Sequence, residues 1–107
     1  MNDAERRAAR WYRVRGYRIL ATNVWTGGNE LDVVVRRGNR LVFCEVKEKT
    51  GDRFGHAADM VGPEKQRRLR RAATAWLQAH PELAQLQMSF DVIAVHRGRL
   101  ERIPDAF

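Results

Sequence analysis

Apolar and polar positions recur along the chain with two different periods, which predict where its helices and strands lie. Apolar residues return every three to four positions within 3–15 and again from Pro63 up to His80, as in helices that bury one face. Shorter segments that alternate or are apolar throughout predict strands at 17–25, 28–35, 41–47 and 88–95, and a short last strand at 100–103. The order is helix, three strands, helix and then one or two strands, which favours an α/β or α+β domain.

The second and third strands are predicted to form a hairpin, because Gly38 and Asn39 between them suit a tight turn. Side chains alternate between the two faces of a strand. In the third strand one face therefore carries Leu41, Phe43, Glu45 and Lys47. In the second strand one face carries Glu30, Asp32 and Val34, and the opposite face carries Leu31, Val33 and Val35. Pairing across the turn would bring Asp32 and Glu45 together on one face, with Lys47 beside them.

Three charged residues, Asp32, Glu45 and Lys47, interrupt the apolar pattern of this hairpin. A buried charge without a partner costs several kcal/mol or more, so such groups are normally paired or bound to a metal. Two carboxylates and a nearby backbone oxygen, such as the carbonyl of Val46, are ligands that suit Mg²⁺ or Mn²⁺. A bound ion of this kind polarises a phosphoryl oxygen and activates water. Lys47 would then position the water or neutralise the phosphate.

The same residues also have an interpretation without a metal. One lysine can partly neutralise two carboxylates, so Lys47 paired with Asp32 or Glu45 would suit a structural or protein-interaction domain. Zinc is not expected, because the chain has one cysteine and three scattered histidines. A phosphate-cradling glycine loop is not expected either, since Gly27 and Gly28 lead into a strand instead of a helix.

Length and composition predict one globular domain spanning 1–107. The chain has 107 residues, of which 44% are hydrophobic and 31% are charged. Cys44 is the only cysteine, so no internal disulfide can form and the reducing cytoplasm is the expected compartment. Its place in the third strand predicts a small buried hydrophobic residue. Polar, charged residues follow Met1 and no apolar stretch is long enough to cross a bilayer, so neither a signal peptide nor a membrane partner is expected.

The balance of charge points toward nucleic acid as a partner. The formal net charge is +7, which attracts polyanions. Five cations fall within seven residues of the second helix: Lys65, Arg67, Arg68, Arg70 and Arg71. Like charges at helical spacing repel one another, and a phosphate backbone would relieve that repulsion. A solvated charged face is the alternative interpretation of this helix.

Three ordered motifs resemble those of the YraN-like family of small bacterial proteins, a branch of the PD-(D/E)xK nuclease superfamily. The motifs are Gly-Asn-Glu-Leu-Asp-Val-Val at 28–34, Leu-Val-Phe-Cys-Glu-Val-Lys at 41–47 and Pro-Glu-Lys-Gln-Arg-Arg-Leu at 63–69. Asn23, Phe90-Asp91-Val92 and Asp105-Ala106-Phe107 also look familial. The resemblance spans nearly the whole chain. One departure is that Leu31, and not proline, precedes Asp32.

This resemblance implies a fold and an activity. The fold would be the restriction-endonuclease-like core, an α/β arrangement in which helices flank a mixed sheet. The activity would be metal-dependent cleavage of DNA, with Asp32, Glu45 and the Val46 carbonyl holding Mg²⁺ or Mn²⁺ and Lys47 supporting the attacking water. No base-reading motif is visible, so selection of branched or flapped DNA fits better than reading of a sequence. A homodimer would suit the two strands of a duplex, although the sequence contains no direct signal for one.

Four further residues are secondary candidates for the site. The resemblance implies a role for Glu5, because many superfamily members place a glutamate on the first helix near the metal; its alternative is a surface acid favoured by the helix dipole. Glu30 lies on the predicted face of Asp32 and is expected at the edge of the site. Lys65 and Gln66 lie in the first turn of the second helix, from which related nucleases often reach the site.

The segment from Lys49 to Gly62 follows the third strand directly and is therefore expected to border the site. It would be either a loop that touches substrate or an ordinary connection. His56 within it would either approach a metal or phosphate or simply be exposed. A non-catalytic nucleic-acid-binding domain of the same fold is the alternative to an enzyme.

Overall fold

The structure is a computed structural model that describes residues 1–49 and 61–107. Its helices are α1 (Asp3–Arg13) and α2 (Pro63–Gln78), and a short 3-10 helix spans Pro81–Leu83. Its strands are β1 (Arg18–Thr26), β2 (Asn29–Arg37), β3 (Arg40–Glu48), β4 (Gln87–His96) and β5 (Arg99–Ile103). The predicted α/β class, the order of the elements and the short last strand are confirmed.

The five strands form one mixed sheet in the order β1-β2-β3-β4-β5. The β3–β4 pair is parallel and the other three pairs are antiparallel. A parallel pair needs a long crossover, and α2 lies within that connection. The predicted hairpin is present, because Arg37 pairs with Arg40 and only Gly38 and Asn39 separate them. Gly38 has φ +57°, a conformation that glycine adopts without steric cost.

Helix α1 covers one face of the sheet. Asn2 and Glu5 form a capping box at its start, since each side chain accepts a hydrogen bond from the other residue's backbone N–H at 2.8 Å. Its apolar side packs against the sheet through Ala4, Ala8, Tyr12, Val33, Val42, Cys44 and Ile93. The helix ends at Arg13, two residues before the predicted end, because the chain turns into Gly16 at φ +87°.

Helix α2 covers the opposite face, as its apolar stripe predicted. The cluster on this face includes Leu31, Val34, Leu41, Phe43, Leu69, Ala72, Trp76, Phe90 and Val92. Gly27, in the turn between β1 and β2, lies directly under the helix. A Cβ atom at Gly27 would stand 3.0 Å from the Cα of Ala72, so this turn can approach α2 only with glycine. The buried thiol of Cys44 is confirmed as part of the core.

The alternation of side chains along β2 breaks at Asp32. Leu31 packs in the cluster under α2, whereas Val33 packs in the cluster under α1. The prediction that Leu31 shares a face with Val33 is therefore wrong. The physical reason is a local opening of the β1–β2 ladder, in which neither Asp32 nor Asn23 belongs to the paired register. Asn23 stands at φ +49°, the left-handed region that asparagine tolerates better than most residues.

A second buried acid, Asp91 on β4, lies under α1 and is fully satisfied. The hydroxyl of Tyr12 donates to its Oδ2 at 2.6 Å, and the guanidinium of Arg102 donates to the same oxygen from Nε at 3.0 Å. The backbone N–H of Asp105 donates to Oδ1 at 3.2 Å. Burial, together with the neighbouring Cys44 and Asp91, raises the pKa of Tyr12 far above its ordinary value, so the phenol remains a donor. This network joins α1 to β4, β5 and the C-terminal segment.

Candidate functional site

Most of the charged residues that the sequence singled out meet at one end of the sheet, where β2 begins and β3 ends. The N-terminal turns of both helices lie at this end. The acids are Glu5 from α1, Glu30 and Asp32 from β2, and Glu45 from β3. The lysines associated with them are Lys47 from β3 and Lys65 from α2. We refer to the four acids as the acidic cluster.

The site exists because β2 and β3 separate at Asp32. Their paired register runs from Arg37–Arg40 to Val33–Cys44 and stops there. One further step would place Asp32 opposite Glu45. At that step the Asp32 carboxylate takes the place of a backbone partner, and its Oδ2 accepts a hydrogen bond from the N–H of Val46 at 2.9 Å. The hairpin thus brings Asp32 and Glu45 together, as the turn chemistry predicted.

The carboxylates of the acidic cluster lie very close to one another. One oxygen from each of Glu5, Glu30 and Asp32 lies within 4.8 Å of the other two. Glu45 is 6% exposed, and its Oε2 atom is buried without a hydrogen bond among the described residues. A buried carboxylate oxygen in this state costs free energy unless a cation or donor reaches it.

Asn23 orients two members of the cluster. Its Nδ2 atom donates to Oε2 of Glu5 at 2.9 Å and to Oε1 of Glu30 at 3.1 Å. The other oxygen of Glu5 accepts from the N–H of Asn2, so both of its oxygens are held. In the sequence, Asn23 belongs to the positions that resemble the YraN-like family, and nothing there predicts its role. An asparagine inside a strand segment, where it is disfavoured, was the available signal.

Burial, together with the neighbouring acids, favours the protonated form of Asp32. Burial raises its pKa from 3.8 to about 8, with further contributions from the hydrogen bond and negative charge of Glu45 and from the charge of Glu5. The N–H of Val46 opposes this shift by stabilising the carboxylate. In the absence of a cation, the raised pKa of Asp32 favours a proton on this pair of carboxylates. A divalent cation would displace that proton.

The two lysines differ in what they contact. The Nζ atom of Lys65 lies 3.5 Å from Oε2 of Glu45. The two groups form an ion pair, but their geometry is not that of a hydrogen bond. Lys47 is half-buried. It pairs with Ala94 and Glu45 pairs with Val92, and both of these partners belong to the cluster under α2. Strand alternation therefore puts Lys47 on the same face as Glu45, as predicted.

The structure gives Gln66 one contact outside the acidic cluster, so its predicted secondary role at the site stays a prediction. Its Nε2 donates to the carbonyl of Val61 at 2.9 Å, and Val61 is buried in the core under α2. This hydrogen bond links Gln66 to the segment that immediately precedes α2. Residues 50–60, which include His56 and most of the predicted 49–62 loop, lie outside the described residues.

The basic residues of α2 serve several local purposes. Arg67 forms an ion pair with Glu64 at 2.6 Å. The guanidinium of Arg70 lies over the rings of Phe90 and Phe107, 5.1 and 5.5 Å from their centroids. Arg68 and Arg71 are exposed. The five predicted cations therefore have different surroundings. Lys65 contacts the acidic cluster, Arg67 forms an ion pair, Arg70 lies over aromatic rings, and Arg68 and Arg71 face solvent.

The donor set of the acidic cluster fits a hard divalent cation. Every side chain in it offers carboxylate oxygen, which Mg²⁺ and Mn²⁺ prefer over nitrogen or sulfur. The unsatisfied oxygen of Glu45 and the raised pKa of Asp32 are both conditions that a cation would relieve.

In the described part of the chain, no helix combines the length and apolar character required to cross a membrane.

Comparison with other proteins places the chain in a family. The sequence model described as "Uncharacterised protein family UPF0102" matches residues 4–95. A UPF0102 protein of Rhodopseudomonas palustris is 43% identical over 106 residues, which cover 98% of this chain and 77% of that relative. A UPF0102 protein of Frankia casuarinae is 44% identical over 105 residues, which cover 94% of this chain and 88% of the relative. The chain therefore belongs to the UPF0102 family, the YraN-like family that its motifs predicted.

Proposed function

We propose that this protein is a metal-dependent endonuclease of the PD-(D/E)xK superfamily that hydrolyses phosphodiester bonds in DNA. The observation that supports this best is the acidic cluster around Asp32, where several carboxylates meet at a break in the sheet. Such crowding destabilises the folded protein, because each added negative charge raises the energy of the others. We therefore expect it to serve a function. The order of helices and strands around the cluster agrees with the superfamily core.

Asp32, Glu45 and the carbonyl of Val46 are the groups that would hold Mg²⁺ or Mn²⁺. When bound, the ion supplies a Lewis acid for the phosphoryl oxygen and a water of lowered pKa. Asn23 keeps the carboxylates of Glu5 and Glu30 oriented beside Asp32. These side chains are restrained before any ligand arrives, so little reorganisation accompanies binding.

Lys47 and Lys65 have separate parts in the proposed reaction. Lys47 neutralises charge on the phosphate and orients the attacking water from the face that it shares with Glu45. Lys65 contacts Glu45 and keeps that carboxylate in position. Lys47 is therefore the lysine whose loss should remove turnover while leaving metal binding in place.

Branched or flapped DNA is the substrate class that we propose, with a homodimer as the acting species and the cytoplasm as the compartment. The net charge of +7 supports a polyanionic substrate. Arg68 and Arg71, which are exposed on α2, would meet the phosphate backbone. Chemistry directed at phosphates does not read bases, which agrees with selection by shape.

A non-catalytic nucleic-acid-binding domain of the same fold is the second candidate. The ion pair between Lys65 and Glu45 favours it, because it neutralises one acid of the cluster without any metal. In that case Mn²⁺ would have no effect on the stability of the protein.

Thermal melting with and without Mn²⁺ or Ca²⁺ separates the two candidates. A ligand that binds only the folded state raises the melting temperature. We expect a rise in the wild type and none in Asp32→Ala or Glu45→Ala. A wild type whose melting temperature ignores both ions would contradict the metal centre.

Cleavage of branched, flapped, single-stranded and double-stranded DNA then tests turnover. We expect Asp32→Ala to lower the rate more than about 100-fold, since even residues that only support metal ligands cost about 10–100-fold. Lys47→Ala should lose cleavage and keep the Mn²⁺-induced rise in melting temperature. Cleavage that survives in Lys47→Ala but not in Asp32→Ala would contradict the role of Lys47, and cleavage that survives in both would point to a contaminating nuclease.

A further inference from the structure

A second charged surface lies at the opposite end of the sheet from the acidic cluster. A cavity of about 360 Å³ opens there, lined by Gly16, Arg18, Arg36, Arg37 and Gly38. We call these five residues the distal arginine surface. They come from the turn after α1, the start of β1, the end of β2 and the turn between β2 and β3. Arg36 is four residues from Asp32 along β2, or about 13 Å in an extended strand.

Local contacts hold two of the three guanidinium groups in place. Nη1 of Arg37 donates to the carbonyl of Arg15 at 3.0 Å, and the guanidinium lies 4.5 Å from the ring centroid of Tyr17. Nε of Arg36 donates to the carbonyl of Gly38 at 3.0 Å. Each contact uses one of the five N–H donors of an arginine. The surface is therefore ordered without its charge being neutralised.

This arrangement costs stability in the free protein. Arg18 and Arg36 are directly opposite each other on β1 and β2, and Arg37 and Arg40 are directly opposite on β2 and β3. Like charges directly opposite on neighbouring strands are destabilising. Arg40 is partly compensated by Asp105 at 3.8 Å. Within the described residues, no carboxylate lines the surface or pairs with the other three arginines.

We propose that the distal arginine surface binds the phosphate backbone of nucleic acid. Guanidinium groups match phosphate oxygens with pairs of parallel N–H bonds, and a bound phosphate removes the repulsion between the facing arginines. The approach to the surface is open, because a Cβ added at Gly38 would meet no atom within 4 Å. Binding here needs no metal and no chemistry at the acidic cluster. The surface anchors nucleic acid at a point separate from the candidate metal centre.

The salt dependence of DNA binding tests this proposal directly. A duplex of about 20 base pairs is titrated in EDTA at several salt concentrations, with the wild type and with Arg18→Gln/Arg36→Gln. Each lost phosphate contact lowers the slope of log K against log salt by about 0.9, so we expect a decrease of about 2. The use of EDTA makes the result independent of whether the protein cleaves DNA.

The matched control is Arg6→Gln/Arg99→Gln, which removes the same charge from exposed positions outside the surface. We expect its salt slope to stay within about 0.5 of the wild type. Equal losses in both double variants would show that only net charge matters and would overturn the proposal. Unchanged binding in the Arg18/Arg36 variant would do the same.

Two further measurements test whether the double variant is unstable and whether the surface binds a different polyanion. The melting temperature of Arg18→Gln/Arg36→Gln without DNA should equal or exceed that of the wild type, because repulsion has been removed. If the double variant does not fold, Arg18→Gln alone should lower the slope by about 1. Phosphatidylserine vesicles form the last comparison. Loss of vesicle binding with unchanged DNA binding would assign the surface to a lipid and overturn the proposal.

Discussion

The two buried acidic regions of this sheet differ in how well they are satisfied. Asp91 is fully buried and receives hydrogen bonds from Tyr12, Arg102 and the backbone of Asp105. Glu45 is almost as deeply buried, yet its Oε2 has no hydrogen bond among the described residues, and Lys65 stands 3.5 Å away. Both acids have apolar neighbours on either side in their strands. Asp91 has a full set of hydrogen-bond donors within the fold, whereas one oxygen of Glu45 has an ion-pair contact but no hydrogen bond among the described residues.

This difference separates a structural acid from a candidate functional one. A buried carboxylate with complete partners stabilises the packing of the elements that supply those partners, here α1, β4 and β5. A buried carboxylate with an incomplete set of donors is a candidate for completion by a bound ligand. Loss of the structural acid should therefore lower the free energy of unfolding, whereas changes at the candidate functional acids should alter cation binding.

Asp91→Ala should destabilise the protein by about 3–5 kcal/mol, because it leaves the Arg102 guanidinium without its anion. Urea unfolding measures this change. The double variant Asp91→Ala/Arg102→Leu should recover part of the loss, since both charges are then removed. The rise in melting temperature caused by Mn²⁺ should persist in the single variant wherever it folds. A double variant as unstable as the single one would mean that packing, and not the ion pair, is the main contribution of Asp91.

Asn23→Gly should weaken metal binding about tenfold, because Glu5 and Glu30 lose the amide that orients them. Glycine keeps the left-handed backbone, so this variant isolates the side chain. Asn23→Ala should weaken binding to a similar extent and also cost about 1–2 kcal/mol in unfolding free energy, since alanine is strained at φ +49°. Titration calorimetry with Mn²⁺ checks the first effect and urea unfolding the second. Unchanged affinity in Asn23→Gly would contradict an orienting role.

The stability of the metal-free protein should depend on the protonation of Asp32. Its pKa in the folded state, about 8, lies above its ordinary value of 3.8, so folding favours the protonated acid. This contribution is complete below about pH 4 and is lost as the pH rises through about 8. Between pH 5 and 8.5 in EDTA, we expect the wild type to lose at least about 4 °C more in melting temperature than Asp32→Asn.

Saturating Mn²⁺ should remove that difference, because the ion binds the carboxylate and replaces the proton. Calorimetric scans at each pH, with EDTA or with Mn²⁺, provide the measurement. Parallel pH profiles for the wild type and Asp32→Asn in EDTA would show that Asp32 is ionised throughout and that the cluster is less crowded than its geometry indicates.

Much of the fold and part of the site were predictable from local patterns. The hairpin followed from Gly38 and Asn39, whose turn chemistry is local. The shared face of Glu45 and Lys47 followed from alternation in a strand whose register with β4 is unbroken. The meeting of Asp32 and Glu45 followed from both. Each of these inferences needed only neighbouring residues and the period of a strand.

Other features depended on contacts between residues far apart in the chain. Three contacts were not visible in the sequence: those of Asn23 with Glu5, of Gln66 with Val61 and of Arg70 with Phe90. The predicted face of Leu31 was wrong, because alternation along β2 breaks at Asp32. At that residue β2 is paired with neither β1 nor β3. Asp91 carried the same signal as Asp32, an acid in an apolar strand, and only its partners distinguish the two.

The sequence by itself determined the order of the elements, the hairpin and the membership of the UPF0102 family, because these depend on local spacing and on residue identity. The tertiary structure alone decided which buried acid is satisfied, which arginines face one another and where β2 leaves β3. Those outcomes depend on which partners the packed sheet brings within hydrogen-bonding distance, and no local period encodes that.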